Sequence, residues 1–215
     1  CALIAQGNKT DSLIHQVDEA VNNASLYIAK REKHIVRLRN RLDKTHDNRE
    51  AYHVAFKLYE AYKPFVNDSA IFYLNRCIAM ATALNNRQHA NLCRSLLALR
   101  CSNTGMYNEA LTVLGQINPD EMGKNELGIY YFAYVHVYGE LAYYTHLTDM
   151  RKHYEGKLAR YRRLMFSVLP RYDNNRMQEK ELALMNAGQY KQSMAVNDEW
   201  LKHVPEGSHV YALVA

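Results

Sequence analysis

Two stretches of the sequence decide the fold: Thr-Gly-Met-Tyr-Asn-Glu-Ala at residues 104–110 and Ala-Gly-Gln-Tyr-Lys-Gln-Ser at residues 187–193. Both have the frame Gly-x-Tyr-x-x-small. The glycine provides a turn between two helices, the tyrosine is expected to wedge between them, and the small residue lets the second helix pack closely. The frame therefore predicts the joint of a helical hairpin. Its residues are Gly105, Tyr107 and Ala110 in the first copy and Gly188, Tyr190 and Ser193 in the second.

The spacing of the small residues indicates a repeat. Ala70 lies in a degenerate third copy, 40 residues before Ala110, and Ser193 follows Ala110 by 83 residues. A further joint near residues 149–152 would make the spacing even. The sequence thus predicts about four units of about 40 residues in a helical-hairpin solenoid, each unit longer than a 34-residue tetratricopeptide repeat.

The composition agrees with an all-α fold. The chain has 215 residues, 48% of them hydrophobic and 23% charged, so long disorder is not expected. Nine Gly and four Pro are too few for the turns of an all-β sandwich. No run approaches 18 apolar residues, so no segment is expected to span a membrane.

Local signals place the helix ends. We expect a signal-peptide remnant or linker at residues 1–10, a long amphipathic N-terminal helix (or two in series) at 11–46, and the repeat array at 47–215. Asp47 and Glu50 have the spacing of a capping box, in which each side chain caps the other's backbone. The remaining signals are Pro64 as a stop, Asn67-Asp68-Ser69 as a cap for a helix from Ala70, Asn85-Asn86 as a break, and Pro119, Gly123, Pro170 and Pro205 as later boundaries.

No catalytic or metal-binding pattern appears. The sequence has no Gly-rich phosphate loop, no Gly-x-Ser-x-Gly and no His-Glu-x-x-His, and its histidines are scattered singly. We therefore expect no enzyme, no cofactor and no metal site. The cysteines also lack ligand spacing; buried thiols are expected, with a disulfide from Cys77 to Cys93 or Cys101 as the alternative.

Tyrosine is the unusual residue, with 17 copies against five Phe and one Trp. A stripe at helical spacing runs along the helix that follows Gly123. The stripe can be packing, or it can form a concave aromatic surface for an extended peptide or a sugar. The first helix of each hairpin is expected to line the concave side. The candidate groove residues are Tyr52, Tyr59, Tyr62, Lys63, Ser95, Asn103, Tyr134 and Tyr138.

Two basic clusters lie at residues 30–44 and 151–171, within a net charge of +5. Each is interpreted as a solvated helix face. Nucleic acid and anionic lipid headgroups are the alternatives for the second cluster, but no aromatic residues are interleaved at single-strand spacing to support nucleic acid. We expect no nucleic-acid contact through this chain.

Several motifs resemble a known bacterial family. They are Asp11-Ser12-Leu13-Ile14, Tyr27-Ile28-Ala29-Lys30-Arg31-Glu32, Asp68-Ser69-Ala70-Ile71-Phe72-Tyr73, residues 102–111 and Leu141-Ala142-Tyr143-Tyr144. They resemble tetratricopeptide repeats, and more closely the exported N-terminal region of membrane-anchored putative transcriptional regulators. In that family the repeats are followed by a transmembrane helix, a coiled coil and a DNA-binding segment.

The resemblance implies a non-enzymatic recognition module, the periplasmic sensor or scaffold half of such a regulator, with its membrane anchor outside this chain. A protein or peptide partner is expected, and a small glycan is a further ligand class. The alternatives are a lipoprotein-type glycan or peptide binder acylated at Cys1, and a cytoplasmic scaffold. The ending at residues 211–215 has the character of another helix, which predicts homo-oligomers formed through an open C-terminal end.

Overall fold

The computed structural model describes residues 14–15, 17–19 and 21–214, without the side chain of His209. The expectations for residues 1–10, including lipid attachment at Cys1, lie outside the described residues. Within the described ranges the chain is helical and contains no strand, which confirms the all-α fold class.

The helices follow one another with short connections. They are α1 (Ala24–Lys44), α2 (Asn48–Tyr62), α3 (Asn67–Ala83), α4 (Arg87–Ser102), α5 (Tyr107–Gly115), a 3₁₀ turn (Pro119–Glu121), α6 (Lys124–Tyr144), α7 (Thr148–Val168), α8 (Asn174–Asn186), α9 (Tyr190–Leu201) and α10 (His209–Val214). Residues 14, 15, 17–19, 21 and 22 are helical too. Their hydrogen bonding continues through Asn23 into α1, as expected for a long N-terminal helix.

The chain forms two compact units, residues 1–73 and residues 74–215. The boundary lies inside α3. The domain limits expected from the repeat pattern stay a prediction, because compactness does not by itself define where a repeat starts.

In the first unit α1 packs against α2. Ile35, Leu38 and Leu42 of α1 are buried, as are Ala55 and Leu58 of α2. These α1 residues recur at three- and four-residue steps, so they form one stripe on a single helix face.

The capping box after α1 is confirmed only in part. The Asp47 carboxylate accepts a hydrogen bond from the Glu50 backbone N–H at 2.7 Å, as expected. The Glu50 carboxylate does not return to the cap; it accepts from the Arg41 guanidinium at 2.8 Å. A nearby guanidinium offers a charge-assisted bond, which is stronger than one from a backbone amide.

The other helix signals are mostly confirmed. Asn85 adopts the left-handed conformation with φ of 57°, and the Asn86 side chain caps α4 at the His89 N–H. Gly105 and Gly188 have φ of 79° and 70°, so both joint glycines provide the turn that the frame requires. The expected start of α3 at Ala70 is wrong, because Asn67, Asp68 and Ser69 form the first turn of the helix instead of preceding it.

The small position of the repeat frame behaves as expected in three hairpins. Ala70 and Ala110 are fully buried, and Ser193 is 5% exposed. Each is the fourth residue of its helix, the second helix of a predicted pair. Helix α7 begins at Thr148, so its fourth residue is Arg151, inside the stretch expected to hold the masked joint.

The wedge role expected of the frame's tyrosine is wrong for Tyr190, which is 66% exposed. It stays a prediction for Tyr107, which is half-buried and donates a hydrogen bond at 3.4 Å to Glu140 of α6. Both tyrosines are the first residue of their helix. At that position the chain has just left the turn, and the Tyr190 side chain lies at the end of the hairpin rather than in its seam.

The seam between α6 and α7 is built from tyrosines. The rings of Tyr134 and Tyr161 are stacked, with centroids 4.1 Å apart and planes 8° apart. Tyr138 lies beside Tyr161 at 5.8 Å and Tyr154 at 6.2 Å. The packing interpretation of the aromatic stripe is therefore confirmed for these residues.

The C-terminal helices have a small core of their own. Met177 of α8 packs with Val196, Trp200 and Val204, and the Trp200 indole N–H donates to Asn174 at 2.9 Å. Arg176 of α8 donates to the carbonyl of Leu169 at 2.8 Å, which ties this hairpin to the end of α7.

The three described core cysteines, Cys77, Cys93 and Cys101, are buried thiols, as expected. Cys77 of α3 and Cys93 of α4 interact through their side chains. The hydrogen bond from Cys93 and burial both raise the pKa of the Cys77 thiol, so it stays protonated at neutral pH.

We predict that Gly128→Ala destabilises the protein. A Cβ at Gly128 of α6 would lie 2.0 Å from a methyl carbon of buried Leu169, so the Leu169 side chain or the end of α7 that carries it would have to move. Overpacking of this kind costs about 1–3 kcal/mol. Urea unfolding monitored by circular dichroism measures the effect.

Gly156→Ala is the matched control for this prediction. Gly156 is an exposed mid-helix glycine of α7, where an added Cβ meets no atom within 4 Å. Alanine there should raise the unfolding free energy by up to about 1 kcal/mol, because it favours the helix. Equal effects of the two substitutions would contradict the role of the Gly128–Leu169 contact.

Candidate functional site

An open cleft of about 640 Å³ lies among α6, α7 and α8, entirely within the second unit. We call it the interhelical cleft. Its lining combines apolar side chains with a few charged ones, the composition typical of ligand pockets, and its volume is in their usual range. The residues used below are Gly139, Tyr144, Arg151, Glu155, Arg162 and Glu179.

The cleft opens where the repeat frame lacks its small residue. Arg151 occupies the fourth position of α7, is exposed and lines the cleft. Its guanidinium donates to the Thr145 carbonyl at 2.9 Å, which satisfies an acceptor left over at the end of α6. This large, hydrogen-bonded side chain is turned toward Thr145, whereas the other three hairpins have a small buried residue at the same position.

A buried ion pair forms one wall. The Arg162 guanidinium of α7 donates to the Glu179 carboxylate of α8 at 2.6 Å, and the Glu179 side chain is only 6% exposed. Burial raises the pKa of Glu179, and Arg162 opposes that rise. Because such a pair is costly to separate, it fixes α8 against α7 beside the cleft.

A second, smaller groove of about 420 Å³ shares His136, Glu140 and Tyr144 with the cleft. Ser102 Oγ and His136 Nδ1 lie 2.9 Å apart, which joins the end of α4 to α6. With its side-chain amide turned so that the oxygen faces Arg100, Asn103 donates to His136 Nε2 at 3.2 Å. The His136 ring therefore has polar partners on both nitrogens.

Burial lowers the pKa of His136, and Arg100 lowers it further, while Glu140 acts in the opposite direction. The ring is thus held neutral between the two grooves. Exposed aromatic surface lies next to it, since Tyr143 is 77% and Tyr144 61% exposed.

Four of the sequence-predicted groove residues are core residues. Tyr52, Tyr59, Ser95 and Tyr134 are at most 9% exposed, and the Ser95 hydroxyl donates to the Asn91 carbonyl of its own helix. Their predicted contact with a ligand is therefore wrong. The repeat frame located the first helix of each hairpin but assigned its buried face to the concave side.

The other four predicted residues are more accessible. Tyr62 is half-buried and stacks on Tyr73, and Lys63 is exposed. Asn103 is exposed and lines the smaller groove, while Tyr138 is half-buried in the α6–α7 seam. Tyr62 and Lys63 belong to the first unit, whereas Asn103 and Tyr138 belong to the second. A binding role for each stays a prediction.

Sequence reasoning missed most of the cleft. The interpretation of residues 151–171 as a solvated basic face includes Arg151, Glu155 and Arg162, although Glu155 interrupts the run of cations. The signal that could have found them is the repeat frame itself, because counting 40 residues from Ala110 reaches a position where no small residue is present.

A cleft of about 590 Å³ in the first unit has a different character. Its walls are α1 and α2, and its charged residues are mainly cations, with Glu60 among them. In the Arg41–Glu50 ion pair of the same two helices, both side chains are exposed. This surface fits the solvated face expected for residues 30–44.

Within the described ranges, no group of three or more His, Cys, Asp or Glu residues could hold a metal ion. In the same part of the chain, no helix is both long and apolar enough to cross a membrane.

Comparison with known families gives the chain its identity. Residues 21–215 match the family model described as the SusR N-terminal TPR domain. The chain belongs to this family. The TPR domain is thus a repeat scaffold of helical hairpins, of the kind that generally mediates protein interactions and is generally non-catalytic. No curated protein matched the chain, and no solved structure did.

We predict a pH effect that depends on His136. Because its folded pKa lies below the unfolded value, its contribution to stability is present above the unfolded pKa of about 6.5 and is lost as pH falls through the folded pKa. The unfolding free energy of the TPR domain should therefore decrease on acidification through this range. In His136→Gln this decrease should be smaller, as measured by urea unfolding at a series of pH values.

His146→Gln is the control, because His146 is an exposed residue of the loop between α6 and α7. It should retain the full acid-dependent loss. If His136→Gln and the wild-type protein lose stability in parallel, then burial of the His136 ring does not cause the effect.

Proposed function

We propose that this TPR domain recognises an extended peptide segment of a partner protein, and that the interhelical cleft receives it. The observation that carries the proposal is Arg151, which stands where the other hairpins have a small buried residue. That replacement leaves an open groove along two 21-residue helices. A groove along paired helices suits an extended chain better than it suits a compact ligand.

The chemistry of the cleft supports a peptide. Exposed Tyr144 and its neighbour Tyr143 offer a large contact area at low conformational cost, together with phenol hydrogen bonds. Arg151 and Glu155 provide charges of both signs, which match the mixed donors and acceptors of a peptide.

Three of the seven basic residues at positions 151–171 have an acidic or aromatic partner within the chain, which disfavours nucleic acid as the ligand. Arg162 is paired with Glu179, Arg160 lies 5.8 Å over the Tyr161 ring, and Arg171 lies 5.4 Å over the Tyr172 ring. Phosphate recognition needs a surface of available cations.

The proposal includes a cellular role: the TPR domain is the periplasmic sensor or scaffold half of a membrane-anchored transcriptional regulator. The motifs at residues 68–73 and 102–111 support this role through their resemblance to that family. The family match over residues 21–215 supports only the part of the role that concerns the repeats. A cytoplasmic scaffold and a lipoprotein-type glycan or peptide binder are the alternatives.

The cleft is tested at Gly139, which lines it and where a Cβ would meet no atom within 4 Å. Peptides are first selected from a phage-displayed library on the wild-type chain. Gly139→Trp should then bind them at least about tenfold more weakly, because the indole fills the groove without displacing the core. Titration calorimetry with the selected peptides measures the loss.

Gly139→Ala is the matched control and should keep the wild-type affinity. If Gly139→Trp binds as tightly as Gly139→Ala, the peptides bind elsewhere and the cleft proposal fails. If the library yields no binder while an oligosaccharide array does, the glycan alternative is favoured.

The cellular role is tested by fusing a reporter after residue 215 in the intact gene. A reporter that is active only in the periplasm should give signal, and one that is active only in the cytoplasm should not. The same reporters on a cytoplasmic protein provide the control. The opposite pattern would favour the cytoplasmic scaffold.

A further inference from the structure

An apolar stripe on the long N-terminal helix is half covered and half exposed. It follows a strict pattern of three- and four-residue steps through Ile14, Val17, Val21, Ala24, Ile28, Arg31, Ile35, Leu38 and Leu42. These are the a and d positions of a heptad repeat, the pattern by which one helix packs along another.

The covered half lies against α2. Ile35, Leu38 and Leu42 are at most 7% exposed, whereas Ile14, Val17, Val21 and Ile28 are 55–66% exposed. The heptad register of the stripe is a property of the sequence; in the structure α1 begins after Asn23, a turn residue that connects it to the helical residues before it. The exposure of the stripe changes close to Arg31.

The lengths of the helices explain the change. Helix α2 has 15 residues, about 22 Å, and the helix from residue 14 to Lys44 is about twice as long. Arg31 marks where the cover ends: its guanidinium donates to the Ala61 carbonyl at 3.3 Å and lies 5.0 Å over the Phe65 ring. N-terminal to Arg31, the helical residues from Ile14 onward extend past α2 by about five turns, and the described apolar residues of the stripe are uncovered there. We call this segment the overhang.

We infer that the overhang binds the same overhang of a second copy of this chain, and that the two helices pair antiparallel as a short coiled coil. The exposed stripe continues a seam that already packs against a helix inside the chain, so its register suits a helical partner. A twofold axis between Val21 and Ala24 sets Val17 against Ile28 of the second copy and Val21 against Ala24 of the second copy, so the central part of the face is complementary to itself. The same axis sets Ile14 against Arg31, so the apolar seam ends there on each side.

The charges of the overhang select the antiparallel orientation. Asp18 and Glu19 lie near one end, and Lys30 and Lys33 lie near the other. In the antiparallel pair Lys30 of each copy lies within about a turn of Asp18 and Glu19 of the other along the helix axis, inside the Debye length of about 8 Å. In a parallel pair each group would face its own like-charged copy.

The association is tested on residues 1–215 by analytical ultracentrifugation over a range of protein concentrations. The wild-type chain should dimerise reversibly. Val21→Glu should weaken the dimer by about two orders of magnitude, since one carboxylate from each copy enters an apolar seam. The substitution is at an exposed site, so the circular dichroism of the monomer should be unchanged.

Two controls separate the stripe from other surfaces. Val36→Glu changes an exposed apolar residue of the same helix that lies off the stripe, and Leu213→Glu changes one at the C-terminal end. Both should dimerise like the wild type. A wild-type chain that stays monomeric at every concentration overturns the inference, and so does a dimer weakened by Leu213→Glu but not by Val21→Glu.

Cross-linking tests the orientation, in a Cys1→Ser background that leaves the buried thiols as the only native cysteines. A mixture of Val17→Cys chains and Ile28→Cys chains should form a disulfide-linked dimer under mild oxidation, because these positions oppose each other in the antiparallel pair. Val17→Cys alone should cross-link far less. Efficient cross-linking of Val17→Cys with itself would mean a parallel pair and would overturn the antiparallel assignment.

Discussion

The stack of Tyr134 on Tyr161 is the interaction on which the interhelical cleft depends. It holds two 21-residue helices together with ring centroids 4.1 Å apart, and Tyr138 and Tyr154 extend the contact along the seam. Burial raises the pKa of Tyr134, so its phenol stays neutral in the seam. Flat rings provide a large contact area with few rotatable bonds, which suits a seam that must stay rigid beside an open groove.

The rest of the cleft follows from that seam. Gly128 lets Leu169 close the far end of the pair, and the Arg162–Glu179 pair attaches α8 to its side. Arg151, at the near end, is turned out to the Thr145 carbonyl instead of being packed inward. The hairpin is therefore tight along its middle and open where Arg151 replaces the small residue, and recognition is proposed at that opening.

The sequence alone predicted the hairpins well, because the features that produce them are local. Gly105 and Gly188 provide positive φ, Asn86 caps a helix from its own side chain, and a small residue at Ala70 or Ala110 is needed wherever two helices cross closely. Each depends on neighbours within a few residues along the chain. The predicted site fared worse: Tyr52, Tyr59, Ser95 and Tyr134 proved to be core residues, because a repeat frame gives the position of a helix but not which of its faces meets the next hairpin.

The amino-acid sequence by itself determined the all-α class, the ends of most helices, the spacing of the joints and the heptad stripe of the N-terminal helix, since all of these are set by backbone preference and helical periodicity. Only the tertiary structure decided which parts of a stripe are covered. Ile28 and Ile35 occupy equivalent heptad positions, yet Ile28 is 59% exposed and Ile35 is 5% exposed. The difference arises because α2 packs over Ile35 and ends before it reaches Ile28. In the same way the structure decided that the tyrosines of α6 form a seam while Arg151 opens a cleft, because burial depends on which helices meet, and helices distant in sequence meet only in the folded chain.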